Sequence, residues 1–322
     1  MQVLYMHEFH GQQNIVDLLS DSIRILMFKG QQVLSRKTIG VAVTLGASVM
    51  WAIEPIMAKL SYQTTDFLNT FATRSIFALV TIGAYLLLTG LKHIKVEKKH
   101  LPKLIYVSLA ATLFADLMYV YALTTVPVIN AVLIGHMQPI FVIVLGFLYL
   151  KTDKITRFDY LGILFMIVAG LLVASRTMDN LMRLKIGTIG DLYVLLATTA
   201  WATTAIVARK YLKGLHAAVI AFYRFFFATV VFIIYMIFSR GLEVANVYQI
   251  MLGVIIGIGT ILYYEGIRLI KAAQVSALEL STPFFATILG FVVLKEYITT
   301  IQFVGILFLV GGIYFLAKRE NT

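Results

Sequence analysis

Between Ile39 and Ala317 the chain reads as ten apolar runs, at 39–60, 66–89, 102–124, 127–150, 158–175, 187–210, 217–239, 247–270, 272–294 and 300–317, parted by short polar or Gly/Pro breaks. A helix needs about 20 mostly apolar residues to cross the hydrocarbon core of a bilayer. Backbone N–H and C=O groups find no water there, so such a run must satisfy them within its own helix. The expected class is therefore an all-α integral membrane protein with ten transmembrane helices. Composition agrees, since 60% of the 322 residues are hydrophobic and only 13% charged, against roughly 45–50% apolar in soluble domains. The joins between the third and fourth runs ("TTVP") and between the eighth and ninth ("KAAQ") are so short that each pair must form a tight helical hairpin.

The second half repeats the first. At an offset of 150, Trp51 matches Trp201, Arg74 matches Arg224 and Tyr85 matches Tyr235. At 144, Pro139, Leu145, Gly146, Phe147 and Lys151 match Pro283, Leu289, Gly290, Phe291 and Lys295, and at 143 the run "GILF" of 162–165 returns at 305–308. Three blocks in one order with a slowly drifting offset point to a tandem duplication. The chain divides into a polar cytoplasmic N-terminal extension (1–38), a first repeat (39–176) and a second repeat (187–319). Because each repeat carries five spans, an odd number, the second enters the bilayer from the opposite side, giving two inverted five-helix repeats. With a cytoplasmic N-terminus, 19 of the 27 lysines and arginines lie on inside segments and two within spans. Six lie outside: Lys59, Arg176, Arg183, Lys185, Arg240 and Lys295. By the positive-inside rule both termini are expected in the cytoplasm.

The formal net charge of +11 is spread over those loops rather than gathered in a stripe, so it reads as topology and not as a nucleic-acid surface. The absence of cysteine removes disulfides, thiolate zinc sites and cysteine nucleophiles. His7 and His10 in "HEFH" are three apart, where a metalloprotease helix needs histidines four apart, and no metal site is expected. No HExxH, GxSxG or Walker motif occurs. Neither an intramembrane enzyme nor direct drive by ATP fits that sequence, and no cofactor is implied.

The tryptophan in the first span of each repeat (Trp51, Trp201), the arginine in the second (Arg74, Arg224) and the repeat endings carry a family resemblance. Those endings are "YALTTVPVINAVLIGHMQPIFVIVLGFLYLKTDKITRFDYLGILFMIVAG" and "AAQVSALELSTPFFATILGFVVLKEYITTIQFVGILFLVGGI". In them the chain resembles the drug/metabolite transporter superfamily, EamA type, over about residues 38–318. The resemblance implies a secondary transporter of the plasma (inner) membrane, often an exporter of amino acids or other small metabolites. It also implies a central cavity between the repeats, with the fifth and tenth spans outside it. One departure is that the family's frequent Gly-Glu after the fourth span reads "LKTDKIT" here, while the second copy keeps Glu296 in "LKEYIT". A channel or lipid scramblase is the alternative, and it predicts a continuous polar stripe on several helices.

An ionisable group at mid-membrane costs roughly 2.5–3.5 kcal/mol even on lenient insertion scales, so it is expected to face a partner or a wet cavity. At about 1.5 Å of rise per residue, Arg74 lies roughly 12 Å below the outer face and Arg224 roughly 10 Å above the inner one. The depths sort the charges into two layers: Arg74, Glu54, Asp116 and His136 outside, Arg224, Glu265 and Glu279 inside. In each layer a surplus carboxylate could hold a proton or a substrate ammonium. The candidate substrate-binding or coupling residues are Trp51, Glu54, Arg74, Asp116, His136, Gln138, Trp201, Arg224, Tyr264 and Glu279. The competing readings stay open: the arginines as snorkelling anchors, the tryptophans as packing between repeats, His136 as a packing histidine. Pro55, Pro139 and Pro283 free backbone carbonyls and bend helices. Gly162, Gly170, Gly305, Gly311 and Gly312 let backbones approach, as scaffold contacts or in a homodimer. The expected partners are a small-molecule metabolite, the lipid bilayer and protons.

Overall fold

The structure is a computed structural model that describes residues 36–89, 94–150, 157–212, 214–239, 241–270, 275, 278–279 and 281–317. Most of the N-terminal extension, including His7 and His10, lies outside the described residues, as do the inside lysines Lys92, Lys151, Lys154, Lys213, Lys271 and Lys318.

Among the described residues every regular element is a helix: α1 (Arg36–Ser61), α2 (Phe67–Thr89), α3 (Leu101–Ala122), α4 (Val128–Gly135), α5 (Gln138–Leu150), α6 (Arg157–Ser175), α7 (Met178–Met182), α8 (Ile189–Tyr211), α9 (Ala217–Ser239), α10 (Val247–Leu269), α11 (Ser281–Leu294) and α12 (Thr300–Ala317). Seven helical stretches are long and apolar enough to cross a membrane. Tyr160–Ser175, Ser281–Leu294 and Thr300–Phe315 are shorter apolar helices.

Two irregularities have local causes. The run 127–150 is broken at His136–Met137, because Pro139 has no N–H to give to the Gly135 carbonyl one turn back. At the break the His136 ring places Nδ1 2.7 Å from the carbonyl of Val132, which also accepts the His136 backbone N–H at 3.0 Å. Pro55, by contrast, lies inside an unbroken α1. The middle of α3, Ser108–Asp116, is π-helical, a widened winding frequent at functional positions. There the Ser108 hydroxyl donates to the Arg224 carbonyl at 2.7 Å and accepts from the Ala228 N–H at 2.8 Å. It is thus inserted between two groups that are ladder partners one turn apart in α9, an insertion of the kind that bends helices.

The two sequence halves are interleaved rather than side by side. α1 packs against α10 and α11, α2 against α10 and α9, α3 against α8 and α9, α4 against α8 and α11, and α6 against α12. Glycines set the closest of these approaches. A Cβ at Gly253 would meet the Arg74 carbonyl oxygen at 2.5 Å, and one at Gly257 would meet Thr81 Cβ at 2.8 Å. The Gly-xxx-Gly spacing of α10 therefore lets it lie directly on the backbone that carries Arg74. Gly305, Gly311 and Gly312 fit against Ala169, Phe165 and Met166, so these glycines serve the α6–α12 pair within one chain.

At the end where α1 meets α2, polar side chains stitch the helix junctions together. Tyr62 donates to the Val120 carbonyl at 2.6 Å, and Asn246 reaches the Ser61 carbonyl and Thr64. Asn130, fully buried, accepts from Gln302 at 2.6 Å and faces Asp191, which also pairs with Arg176. Glu296 reaches across the halves. One carboxylate oxygen accepts from Lys59 (3.2 Å) and the Val128 N–H (3.0 Å), the other from the Ile129 N–H (3.3 Å).

Candidate functional site

The third turns of α2 and α9 each bring an arginine inward, and the widened turn at the end of the π-helical stretch of α3 sets Asp116 between them. Arg74 Nη2 lies 3.2 Å from Asp116 Oδ2, and Arg224 Nη2 lies 3.1 Å from Oδ1 and 3.3 Å from Oδ2. Trp201, on α8, donates its indole N–H to Oδ1 at 2.8 Å. From α1, Glu54 Oε1 meets Arg74 Nη1 at 2.6 Å. Four helices outside α3 thus converge on one buried carboxylate or on the arginine it holds.

This geometry corrects the two-layer expectation. Asp116, placed in the outer layer by depth, holds the arginines of both, so there is a single cluster. The hydrocarbon core is about 30 Å thick, which leaves under about 10 Å between the two estimated arginine depths. Two long guanidinium side chains aimed at the midplane close that gap. The expected surplus carboxylate is also missing from the cluster, since two guanidiniums stand against two carboxylates. Snorkelling is excluded for Arg74, whose side chain is 1% exposed. Arg224, at 18%, is the more accessible of the two. The Nε of each arginine has no acceptor among the described residues.

The duplication is visible in the cations and aromatics but not in the acids. Trp51 packs on Tyr263 (ring centroids 5.0 Å apart) as Trp201 packs on Tyr119 (5.5 Å), and Tyr119 and Tyr263 are related by the offset of 144. At the offsets that relate the tryptophans and the tyrosines, Glu54 and Asp116 map onto Thr204 and Thr260. Both acids of the cluster come from the first half.

The remaining candidates sit around this centre. Tyr264 lies beside Arg224, and its ring is 5.4 Å from that of Tyr263. Glu279 makes no ion pair among the described residues, and it lies near Tyr263. His136 is engaged by the Val132 carbonyl, and among the described residues neither it nor Gln138 hydrogen-bonds to the cluster. Glu265 accepts from Tyr85 at 3.4 Å rather than meeting Arg224, and the side chain of Arg268 lies outside the described residues. Three features escaped the sequence reading: Asp116 as a shared partner, the Trp201 N–H as its third donor, and Glu296 as a bond between halves. The only available signal was asymmetry, with acids at 54, 116 and 296 and none at their counterparts.

A bundle of long apolar helices around a buried, charge-balanced ion cluster defines a multi-pass membrane protein. Its sequence matches the EamA-like transporter family twice, over residues 38–175 and 188–318. The chain belongs to that family. It is 26% identical over 217 residues to an uncharacterized transporter of Synechocystis sp., covering 62% of this chain and 61% of the relative. It is 25% identical over 225 residues to one of Methanothermobacter thermautotrophicus, covering 66% and 63%. An uncharacterized transporter of Clostridium kluyveri is 24% identical over 246 residues, covering 72% and 78%. The chain thus spans somewhat under two thirds of the length of the first two relatives. A solved crystal structure superposes with a TM-score of 0.63 at 18% identity, over 89% of this chain and the whole of the other, a likeness of fold alone.

Proposed function

We propose that the protein is a secondary active transporter that moves a small metabolite, an amino acid or a related polar or amphipathic compound, out of the cell by alternating access. Residues 39–176 and 187–319 act as two inverted repeats of five spans each. The three shorter apolar helices complete the ten, and both termini face the cytoplasm in the plasma membrane. The Arg74–Asp116–Arg224 cluster, with Glu54, Trp201, Trp51, Tyr264 and Glu279 around it, is the substrate and coupling site.

The observation that carries this reading is the meeting of Arg74 and Arg224, equivalent positions of the two halves, on one buried carboxylate. Alternating access between inverted repeats requires a site at their interface near the midplane, and a shared ion there changes partners when one half moves against the other. The orientation has support of its own. Nineteen lysines and arginines lie on the segments assigned inside against six on those assigned outside, the asymmetry that the positive-inside rule reads.

The test is uptake of a labelled amino-acid and metabolite panel into proteoliposomes, with and without an inward proton gradient, for wild type, Arg224→Ala and Asp116→Asn. Accumulation of at least one compound by wild type, lost in both variants, supports the reading. Equal flux in all three places the site elsewhere.

A further inference from the structure

We infer that the Arg224 guanidinium is an exchange site for the carboxylate of a small monocarboxylate ligand, and that each carboxylate bound is matched by one proton taken up by the Glu54–Asp116 pair. The inference rests on the transport reading above and adds to it the ligand's charge and the stoichiometry of the proton.

The first part follows from the unequal holding of the two arginines. Arg74 is clamped by two carboxylates, at 2.6 and 3.2 Å, and its side chain is 1% exposed. Arg224 holds on to Asp116 alone among the acids, through one nitrogen, and its side chain is 18% exposed. Its Nε is buried without an acceptor. A guanidinium presents its N–H donors as a planar fork that fits a carboxylate bidentately, and Asp116 uses only part of that fork. A ligand carboxylate can use more of it. Around the guanidinium stand the Phe225 ring, 5.5 Å from Cζ, and Tyr264, so an apolar or aromatic body on the ligand is accommodated while its charge is read.

The second part is conservation of charge in a buried site. Glu54 and Asp116 on one side and Arg74 and Arg224 on the other sum to zero as the cluster stands. A ligand carboxylate on Arg224 leaves Arg74 facing both Glu54 and Asp116 alone. The surplus negative charge is one that a low-dielectric site does not support. The groups that face the pair from the packed elements are Arg74 of α2, Arg224 of α9, Trp201 of α8, Tyr264 of α10, Tyr119 of α3 and Tyr62 beyond α1. None of them supplies a further cation. One proton, bound as a carboxylic acid by the pair acting as a unit, restores neutrality: two guanidiniums, one ligand carboxylate and one remaining carboxylate. The same sum disfavours a ligand with an ammonium and no carboxylate, which would add positive charge beside two guanidiniums.

The test uses the full chain in lipid nanodiscs and a chemically graded probe set: phenylacetate, benzoate and butyrate, with phenylacetamide and phenethylamine as the neutral and cationic counterparts. Isothermal titration calorimetry in two buffers of different ionisation enthalpy counts the protons exchanged per ligand bound. The expected result is saturable binding of at least one carboxylate, no binding of amide or amine, and uptake of about one proton, so that affinity rises about tenfold for each unit the pH is lowered. Glu54→Gln and Asp116→Asn, each with one acid fewer, should bind the carboxylate with proton uptake abolished, and Arg224→Gln should lose binding. The inference is overturned by carboxylate binding without proton uptake in wild type, by the amine binding in place of the acid, or by no probe acid binding. Flux in proteoliposomes separates the two readings. Accumulation of a neutral or cationic metabolite with no acid bound leaves the transporter standing and removes this inference. Proton-matched acid binding without flux of any compound does the reverse.

Discussion

Arg74 and Arg224, 150 residues apart in the chain, place one nitrogen each on the two oxygens of Asp116, at 3.2 and 3.1 Å. The two halves of the molecule are therefore joined through one buried carboxylate. Removing a member of a buried ion cluster strands the others, at a cost of about 3–5 kcal/mol.

Asp116→Ala strands the Arg224 guanidinium and leaves Arg74 with Glu54 alone, whereas Arg224→Met leaves Asp116 with Arg74 and Trp201. The first should lower unfolding free energy in mixed micelles by about 3–5 kcal/mol and the second by less. The double variant should be milder than the sum of the two, since neither is stranded against the other. Strict additivity in that cycle would show that the pair is not coupled.

Trp201 reports on the cluster directly, being one of only two tryptophans. In a Trp51→Phe background, the Raman band sensitive to indole N–H hydrogen bonding should move to the unbonded position in Asp116→Ala. It should stay in place in Glu54→Gln, because Glu54 touches Arg74 and not the indole. Movement in both variants would mean that the cluster rearranges as a whole.

Glu296 closes the end of the bundle where α1 meets α2. The chain has no cysteine, so a single Val126→Cys, at a fully buried junction residue, can be labelled without background. Glu296→Gln should raise its reaction rate with a membrane-impermeant maleimide several-fold, while a Gly214→Cys label at the other end stays constant. An unchanged rate at 126 would reduce Glu296 to a static cap.

The α2–α10 contact is glycine-limited. Gly253→Ala sets a methyl 2.5 Å from the Arg74 carbonyl, while Gly83→Ala, with nothing within 4 Å, meets open space. The first should destabilise and impair any flux the protein supports. The second should be neutral or stabilising by about 0.5–1 kcal/mol, the usual gain of alanine over glycine inside a helix. Thermal unfolding of both in one detergent decides it.

The helices and the repeat were legible because both are periodic properties: twenty-residue apolar length and matching residues at a fixed offset. So was the membership of most of the central cluster, since an arginine, a glutamate and an aspartate in apolar runs have few other reasons to be there. What failed was the vertical coordinate. Counting 1.5 Å per residue from a loop locates a Cα on a straight, untilted helix. It ignores the reach of Arg74 and Arg224 and the widened winding that carries Asp116. The ring of His136 rests on the Val132 carbonyl, which fits the packing alternative that the sequence had left open. Pairings such as Asn130 with Gln302 or Glu296 with Val128 join residues about 170 apart, and nothing local in the sequence announces them.

The carboxylate of Glu296 also sets a schedule for biosynthesis. The N–H of Val128, at the start of α4, waits for an acceptor 168 residues further along the chain, and Lys59 waits still longer. At about 5–20 residues per second of synthesis, the first half stands in the translocation machinery for roughly 10–30 s with that helix start unanswered and one lysine unbalanced. A chain cut short before the last two helices would leave α1, α4 and α6 without the faces of α11 and α12 as well as without that distant acid.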